Sequence, residues 1–163
     1  FYTDTGDFFV ITNDQNILDV KHKSDKRRAR AGAANMIPTS TGAAKAMKLI
    51  MPQLDGKIHG QSVRVPNPNV SMIDVNFIVK KDTTKEEINA LFESKSKELA
   101  GIVAVDNEMM VSSDLIGNTN STIIASDLTQ VVCGNMIKVM TWYDNEWGYS
   151  ARLVDMAVYV ANK

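Results

Sequence analysis

Apolar and polar residues alternate along the segment from Val70 to Val79, which predicts a half-buried β-strand. Its apolar residues occupy every second position: Ile73, Val75, Phe77 and Val79. The polar residues Asp74 and Asn76 lie between them. Because successive side chains of a strand point to opposite faces, one face should pack on a core and the other should be polar, as in an antiparallel sheet.

Turn and cap residues predict further elements. A β-hairpin is expected from strands Thr129–Cys133 and Met136–Trp142, joined by the two-residue turn Gly134-Asn135. A helix rich in Ala, Lys and Met should run from Gly42 to Ile50, with Thr41 as its N-cap, and end at Met51-Pro52.

Two more helices complete the predicted fold. A capping box of Thr84 and Glu87 begins a helix that extends to about Ser96. The last helix, Glu146 to Val160, has one apolar stripe, made of Trp147, Ala151, Val154 and Val158. Locally pairing strands with helices between them predict an α+β fold: a mainly antiparallel mixed sheet with helices packed on one face.

Composition is consistent with one globular domain. The chain has 163 residues, of which 44% are hydrophobic and 23% charged. Its formal net charge of −1 argues against binding to nucleic acid or to a membrane surface. No apolar run approaches the ~20 residues of a membrane-spanning helix. The single cysteine, Cys133, and the absence of a basic and apolar leader favour a reducing cytoplasm. No metal site is predicted.

A long polar segment from Thr12 to Thr41 has weak periodicity. Loops of this length in compact domains are usually functional or disordered. Within it, Lys21 to Arg30 holds six Lys or Arg and one His, opposed only by Asp25. Such a run can contact nucleic acid or act as a localisation signal, but a solvated or ion-paired loop is the simpler interpretation at near-zero net charge.

Two segments could bind an anion. Thr39-Ser40-Thr41-Gly42 precedes a predicted helix, where hydroxyls and free N–H groups favour negative charge, although plain N-capping also explains them. Arg64 stands just before Pro66, where a strand must stop pairing. If its guanidinium faces Thr41 and Gly42 it can bind phosphate through two hydrogen bonds; otherwise it is a solvated surface charge.

The run from Trp142 to Tyr149 is the most unusual part of the chain. It places two tryptophans and two tyrosines around Asp144, Asn145 and Glu146, a pattern that neither a core stripe nor a solvated face explains. A strand end followed by a helix capped by Asp144 or Asn145 accounts for one polar residue but not for the whole run.

Three segments in one order resemble a known family. Ile37–Ala46, Arg64–Ser71 and Trp142–Tyr149 are similar to the C-terminal catalytic domain of glyceraldehyde-3-phosphate dehydrogenase, and the resemblance extends from about Thr12 to Lys163. It implies that domain's fold and, for the parent enzyme, NAD-dependent oxidation of glyceraldehyde 3-phosphate with inorganic phosphate. Erythrose-4-phosphate dehydrogenase shares the fold and remains an alternative parent.

The resemblance also implies roles for individual residues. Six match substrate-phosphate positions of the family: Thr12, Asp14, Arg27, Thr41, Gly42 and Arg64. Asn145 and Tyr149 match positions that touch the nicotinamide end of NAD, although a helix cap plus a core aromatic would also explain them. Arg27 and Arg30 would belong to a loop that packs between subunits, which implies a homo-oligomer, either dimer or tetramer.

Parts of the family's catalytic apparatus are not matched. The nucleophilic cysteine normally lies in a Ser-Cys-Thr-Thr-Asn-like helix start that this chain lacks, and the histidine base is replaced by Phe9. Neither Cys133 nor His22 matches these roles. No two glycines stand two apart, so the G-x-G-x-x-G dinucleotide fingerprint is missing, and residues 1–11 fit the family pattern poorly.

We therefore expect a single catalytic-type domain over residues 1–163, without a dinucleotide-binding domain. It should bind NAD weakly or not at all, and it should be inactive alone. The alternative is a non-catalytic interaction or scaffold module, natural or engineered, on the same fold; saturable heat on titration with phosphate and NAD would argue against it. Self-association through the sheet and the long loop is expected, because surface covered in the family would be exposed.

Overall fold

A computed structural model of the chain describes residues 3–10, 12 and 14–163. Within them one mixed sheet of eight strands forms: β1 Thr3–Phe9, β2 Ile37–Thr39, β3 Ile58–Arg64, β4 Ser71–Ile78, β5 Val103–Asp106, β6 Thr122–Ala125, β7 Gln130–Val132 and β8 Met136–Tyr143. The α-helices are α1 Ala43–Ile50, α2 Lys85–Glu98 and α3 Trp147–Ala161. Short 3₁₀ turns occupy Pro52–Leu54, Ser112–Leu115 and Ser126–Leu128.

The strands lie in the order β2-β3-β1-β4-β8-β6-β5, and β7 pairs with β8 beside this path. Only the pairs β1–β3 and β5–β6 are parallel; the other pairs are antiparallel. The predicted α+β class with a mainly antiparallel mixed sheet is therefore confirmed. The short strands β5 and β6 and both parallel pairs are not predicted from the sequence.

Strand β4 and the hairpin lie where the alternation and turn signals predict them, but the turn differs. Val132 pairs with Met136, so three residues connect the strands, and Cys133 belongs to the turn rather than to β7. Cys133 and Gly134 both have positive φ, 51° and 76°. The turn is docked on the segment that precedes α2, because the carbonyls of Gly134 and Asn135 accept hydrogen bonds from Thr83 and Val79.

The predicted helices form, with corrections at their ends and faces. The capping box of α2 is present: Thr84 Oγ1 accepts a bond from the Glu87 N–H, and the Glu87 carboxylate accepts one from the Thr84 N–H. For α1 the predicted N-cap Thr41 is wrong. Gly42 holds that position, in a right-handed conformation and without a side-chain cap bond.

Helix α3 does not bury the apolar stripe that the sequence predicts. Trp147, Val154 and Val158 are 55%, 63% and 55% exposed, and the only buried residue of the helix is Gly148. Apolar residues occur on every side of this helix, so periodicity does not identify the face that packs. No helix among the described residues is long and apolar enough to cross a membrane.

The core consists of two clusters on the sheet. One contains Val70, Leu115 and Ile123, with Trp142 packed against it. The other is built on Ile124, Ile137 and Val139, and α2 covers it with apolar side chains from its inner face. These clusters fix β4, β6 and β8 together, and the ends of the neighbouring strands carry the polar residues described next.

Candidate functional site

One end of the sheet collects chain segments that are far apart in sequence. In the pairing of β1 with β3, Phe9 lies opposite Arg64, and in the pairing of β4 with β8, Ser71 lies opposite Tyr143. The N–H of Val10 donates to Ser71 Oγ, which links the two pairs at this end. The residues that follow β1 and β8 therefore emerge side by side, although over 130 residues separate them in the chain.

Arg64 is the central cation of this end. Its Nη1 donates to the Val10 carbonyl and to Thr12 Oγ1, both at 3.1 Å. The guanidinium carbon lies 5.5 Å from the centroid of the Phe9 ring, a cation–π distance. The buried Nε has no hydrogen-bond partner among the described residues. Arg64 is thus positioned by strand pairing and by an aromatic ring, and it keeps donor capacity unused.

Arg28 is the second cation, and it ties the long loop to β2. Its Nη1 donates to Asp14 Oδ2 at 2.5 Å, and its Nε donates to Thr39 Oγ1 at 2.7 Å. The other oxygen of Asp14 lies 3.2 Å from His22 Nε2. The bond from His22 and, after the opposing effect of burial, the bond and charge of Arg28 lower the pKa of the Asp14 carboxyl.

The electrostatics of this cluster favour a bound anion. Burial, and next the positive charge of Arg28, lower the pKa of Arg64 from its ordinary value, whereas Asp14 and Tyr143 oppose the shift. Arg28 and Arg64 are therefore close enough to repel each other, although Arg28 is itself paired with Asp14 and lies 3.5 Å from Asp25. An oxyanion that accepts from both would relieve the repulsion and use the free donor of Arg64.

The structure gathers some of the predicted phosphate-site residues and separates one. Thr12 bonds to Arg64 and Asp14 bonds to Arg28, whereas Arg27, the residue that the resemblance matched, lines a neighbouring cavity. Sequence reasoning missed Arg28, because two adjacent arginines in a loop without periodicity cannot be told apart. The feature that distinguishes Arg28 from Arg27 is its bond to Asp14, and only the folded structure shows that bond.

Thr41 and Gly42 connect this cluster to the start of α1. Arg28 Nη2 donates weakly, at 3.5 Å, to the carbonyl of Ser40, and α1 begins three residues later, at Ala43. The loop itself is ion-paired, with Arg30 bound to Asp19 and Arg28 bound to Asp14. That pairing agrees with the simpler of the interpretations of the basic run.

The aromatic run follows β8 and is organised by Asp144, which is 1% exposed. Its Oδ1 accepts bonds from the N–H groups of Glu146 and Trp147, which caps the start of α3. Burial opposes ionisation of this carboxyl, but the donors around it prevail, so its pKa is lowered. Glu146 holds the N-cap position of α3 without a side-chain cap bond, and Asp144 rather than Asn145 accepts the N–H groups at the start of the helix.

A cavity of about 350 Å³ lies beside this cap. Its walls come from the end of β8, the start of α3 and Ser121: Ser121, Tyr143, Asp144, Asn145, Gly148, Tyr149 and Arg152. The Oδ1 of Asn145 is buried and accepts no hydrogen bond from any described residue. An amide or similar donor in the cavity would satisfy that oxygen, so the two residues matched to the nicotinamide end of NAD, Asn145 and Tyr149, fit a carboxamide ligand.

Two further residues bear on the catalytic roles that the resemblance implies. Phe9, at the position for which the resemblance implies a histidine base, has its ring against the Arg64 guanidinium. Cys133 is a free, exposed thiol in the β7–β8 turn. In β8 the turn adjoins Met136, while Arg64 and Asn145 belong to the end near Tyr143, so the thiol is at the opposite end of that strand.

The fold and this site define an α+β domain that places Arg28 and Arg64 at the same end of the sheet as the cavity that Asn145 lines. The family model described as "Glyceraldehyde 3-phosphate dehydrogenase, C-terminal domain" matches residues 9–145. The chain belongs to this family.

Several curated relatives are similar over nearly the whole chain. It is 53% identical to glyceraldehyde-3-phosphate dehydrogenase 1 of Bacillus subtilis (strain 168) over 153 residues, which is 93% of this chain and 45% of the relative. Identity to glyceraldehyde-3-phosphate dehydrogenase of Helicobacter pylori (strain J99 / ATCC 700824) is 52% over 150 residues, which is 91% of this chain and 45% of that relative. The chain thus spans less than half the length of these relatives.

Proposed function

We propose that this chain provides the substrate-phosphate and nicotinamide-facing part of a phosphorylating glyceraldehyde-3-phosphate dehydrogenase. The parent reaction is NAD-dependent oxidation of glyceraldehyde 3-phosphate with inorganic phosphate, in a reducing cytoplasm. The observation that carries the proposal is that Arg28, bonded to Asp14, and Arg64, bonded to Thr12, lie close enough to affect each other's charge at the end of the sheet where Asn145 lies. Family membership supports it.

Each group has a distinct part in the proposal. Arg64 and Arg28 would bind the substrate phosphate, because planar guanidinium groups match tetrahedral oxyanions through paired hydrogen bonds. Thr12 would add a hydroxyl, and Asp14 would hold Arg28 in place. Thr41 and Gly42 are proposed to contribute from the start of α1, where backbone N–H groups favour negative charge.

NAD, when bound, supplies the hydride acceptor of this reaction. Asn145 would hold its carboxamide through the oxygen that lacks a partner, and Tyr149, which is 66% exposed, would lie beside the ring. With no dinucleotide fingerprint in the chain, these residues would orient one end of the cofactor without binding it tightly.

We expect no dehydrogenase activity from this polypeptide alone. Phe9 cannot accept a proton, and the only thiol, Cys133, lies in the hairpin turn. Absorbance at the NADH band should stay at background with glyceraldehyde 3-phosphate, phosphate and NAD. Turnover that survives repurification and disappears in Cys133→Ser would overturn this expectation, because it would make Cys133 the nucleophile.

Phosphate binding tests the proposal directly. Titration with inorganic phosphate should shift the backbone amide resonances of Thr12 and Thr41 with millimolar affinity, since only part of a full site is present. Arg64→Gln should abolish these shifts, whereas Lys57→Gln, a charge removal on another loop, should leave them unchanged. Shifts that persist in Arg64→Gln would mean that Arg64 is a structural charge.

A second function, a non-catalytic assembly module, is favoured by one observation. Eight large apolar residues of α3 are more than half exposed: Trp147, Tyr149, Leu153, Val154, Met156, Val158, Tyr159 and Val160. Monomeric proteins rarely expose so much contiguous apolar surface, so this helix is suited to bind another protein surface. Retention of phosphate binding separates the two functions, because an assembly module does not need it.

A further inference from the structure

A second polar cavity lies on the outer side of β2, about 440 Å³ in volume. The long loop contributes Asp25 and Arg27, β2 and the residue after it contribute Pro38, Thr39 and Ser40, and β3 contributes His59, Gly60 and Gln61. Thr39 separates this cavity from the Arg28 cluster, because its hydroxyl is bonded to Arg28 while the residue also lines the cavity. Neither the family assignment nor the proposed dehydrogenase function uses this cavity.

The cavity contains a positive charge without an ion-pair partner. Among the described residues, the Arg27 guanidinium makes no hydrogen bond or ion pair, whereas Arg28 and Arg30, in the same loop, are both ion-paired. The one carboxylate among the described residues of the cavity wall, Asp25, forms its contacts elsewhere: it accepts a bond from the Arg27 backbone N–H and lies 3.5 Å from Arg28 Nε. The backbone contact also fixes where the Arg27 side chain leaves the loop.

Neutral donors surround that charge. Ser40 brings a hydroxyl and Gln61 an amide, and both are exposed on the cavity wall. Strand β3 pairs with β1 along its full length from Ile58 to Arg64, but with β2 only from Ser62 onward. Gly60 and Gln61 therefore belong to an edge of β3 that β2 does not pair, and the backbone there can add hydrogen bonds to a ligand.

We propose that this cavity is a second oxyanion site, separate from the Arg28–Arg64 cluster, which binds a phosphate or sulfate group through the guanidinium of Arg27. A free guanidinium with adjacent hydroxyl and amide donors is the donor set that a tetrahedral oxyanion requires. The side chain that the sequence assigned to the substrate phosphate then serves a different anion on the other side of Thr39.

Amide resonances distinguish the two sites when sodium sulfate is titrated into the full chain. The second site should shift the amides of His59 and Gln61, and the first should shift those of Thr12 and Asp14. Arg27→Gln should raise the sulfate dissociation constant measured from the His59 and Gln61 shifts by about tenfold or more, because a charge-assisted bond is lost. The shifts of Thr12 and Asp14 should not change.

Two variants serve as controls. Lys26→Gln removes a charge next to Arg27 without touching the cavity, so its sulfate response should match the wild type. Arg64→Gln changes a side chain that neither lines the second cavity nor, among the described residues, bonds to its walls, so it should weaken only the response at Thr12 and Asp14. The second site is refuted if Arg27→Gln leaves the His59 and Gln61 shifts intact, or if Lys26→Gln weakens them equally, which would indicate diffuse charge attraction. A failed response at Thr12 alone would count against the proposed function and not against this site.

Discussion

The Asp144 carboxylate joins three segments of the chain at the residue scale. Its Oδ1 accepts from Glu146 and Trp147, and its Oδ2 accepts from the Gly117 N–H and from Asn69 Nδ2, each at 2.9 Å. Because the group is buried, these four bonds are what keeps it ionised. The same carboxylate thus caps α3 and holds two loops against the end of β8.

Asp144→Asn should destabilise the fold by roughly 2–4 kcal/mol. The amide NH₂ group would face the Gly117 N–H and Asn69 Nδ2, which now bond to Oδ2, so both donors would lose their acceptor inside the cluster around this buried side chain. Urea denaturation followed by circular dichroism at pH 7 measures the loss. Asp155→Asn, which alters an exposed carboxylate paired with Arg152, is the matched control and should change stability by less than about 1 kcal/mol.

The stability difference between the wild type and Asp144→Asn should depend on pH in a defined direction. The pKa of Asp144 is lower in the fold than its ordinary value of 3.8, so its contribution to stability is present above that value and is lost as the pH falls through the folded pKa. The stability gap between wild type and Asp144→Asn should therefore narrow below about pH 4. A gap that stays constant to pH 2 would contradict the lowered pKa.

Contacts among residues also limit what sequence can predict. The capping role left open between Asp144 and Asn145 depends on which side chain points back over the helix start, and both are good caps. Likewise, Arg27 and Arg28 have the same chemistry, and only the loop's path places one beside Asp14 and the other in the second cavity.

At the scale of elements, α3 approaches the loop before β6 unusually closely. A Cβ atom at Gly148 would lie 3.0 Å from the Asn120 carbonyl oxygen. That loop has little freedom to retreat, since Arg152 Nη1 donates to the Thr119 carbonyl and to Ser121 Oγ. A glycine at this position therefore allows the helix to dock, and docking forms the cavity that contains Asn145.

Gly148→Ala should lower the free energy of unfolding by about 1 kcal/mol. Overpacking against backbone costs more than the helix propensity that alanine gains. Gly42→Ala, at a right-handed position where a Cβ meets nothing within 4 Å, is the control and should not lose stability. If Gly148→Ala is as stable as the wild type or more stable in thermal unfolding, the loop that contains Asn120 moves to accommodate the added methyl group.

Elements with local signals are predicted well, and those without them are not. The capping box of α2 and the alternation of β4 lie within a few neighbouring residues, so the sequence contains them completely. Strands β5 and β6 have four residues each, too few to show a period, and they pair in parallel across a long connection. Helix α3 is predicted, but its packed face is not.

On the scale of the whole molecule, exposed apolar surface predicts association. The sequence places self-association on the sheet and the long loop, and the structure adds α3, whose apolar side chains are largely exposed. On the sheet, the Asp74–Lys138 ion pair and the 45% exposed Ile78 form a mixed polar and apolar face. A symmetric dimer through either surface would cover it with a copy of itself.

We expect dimers or larger species at high micromolar concentration, measured by light scattering over a dilution series. Val154→Lys should lower the average mass if α3 is the contact, and Ile78→Lys should do so if the sheet is. Leu91→Lys changes an equally exposed apolar residue on α2 and should leave the mass unchanged. A wild type that is monomeric throughout would contradict association through either surface.

By itself the sequence determined the local elements and the family, because caps, alternation and long motifs each depend on residues that are close together in the chain. Tertiary structure decided which residues meet: strand pairing brings the segment after β1 to Arg64, and the path of the loop sets Arg28 against Asp14. Such contacts join positions far apart in the chain, and their geometry follows from the packing of the whole sheet rather than from any local pattern.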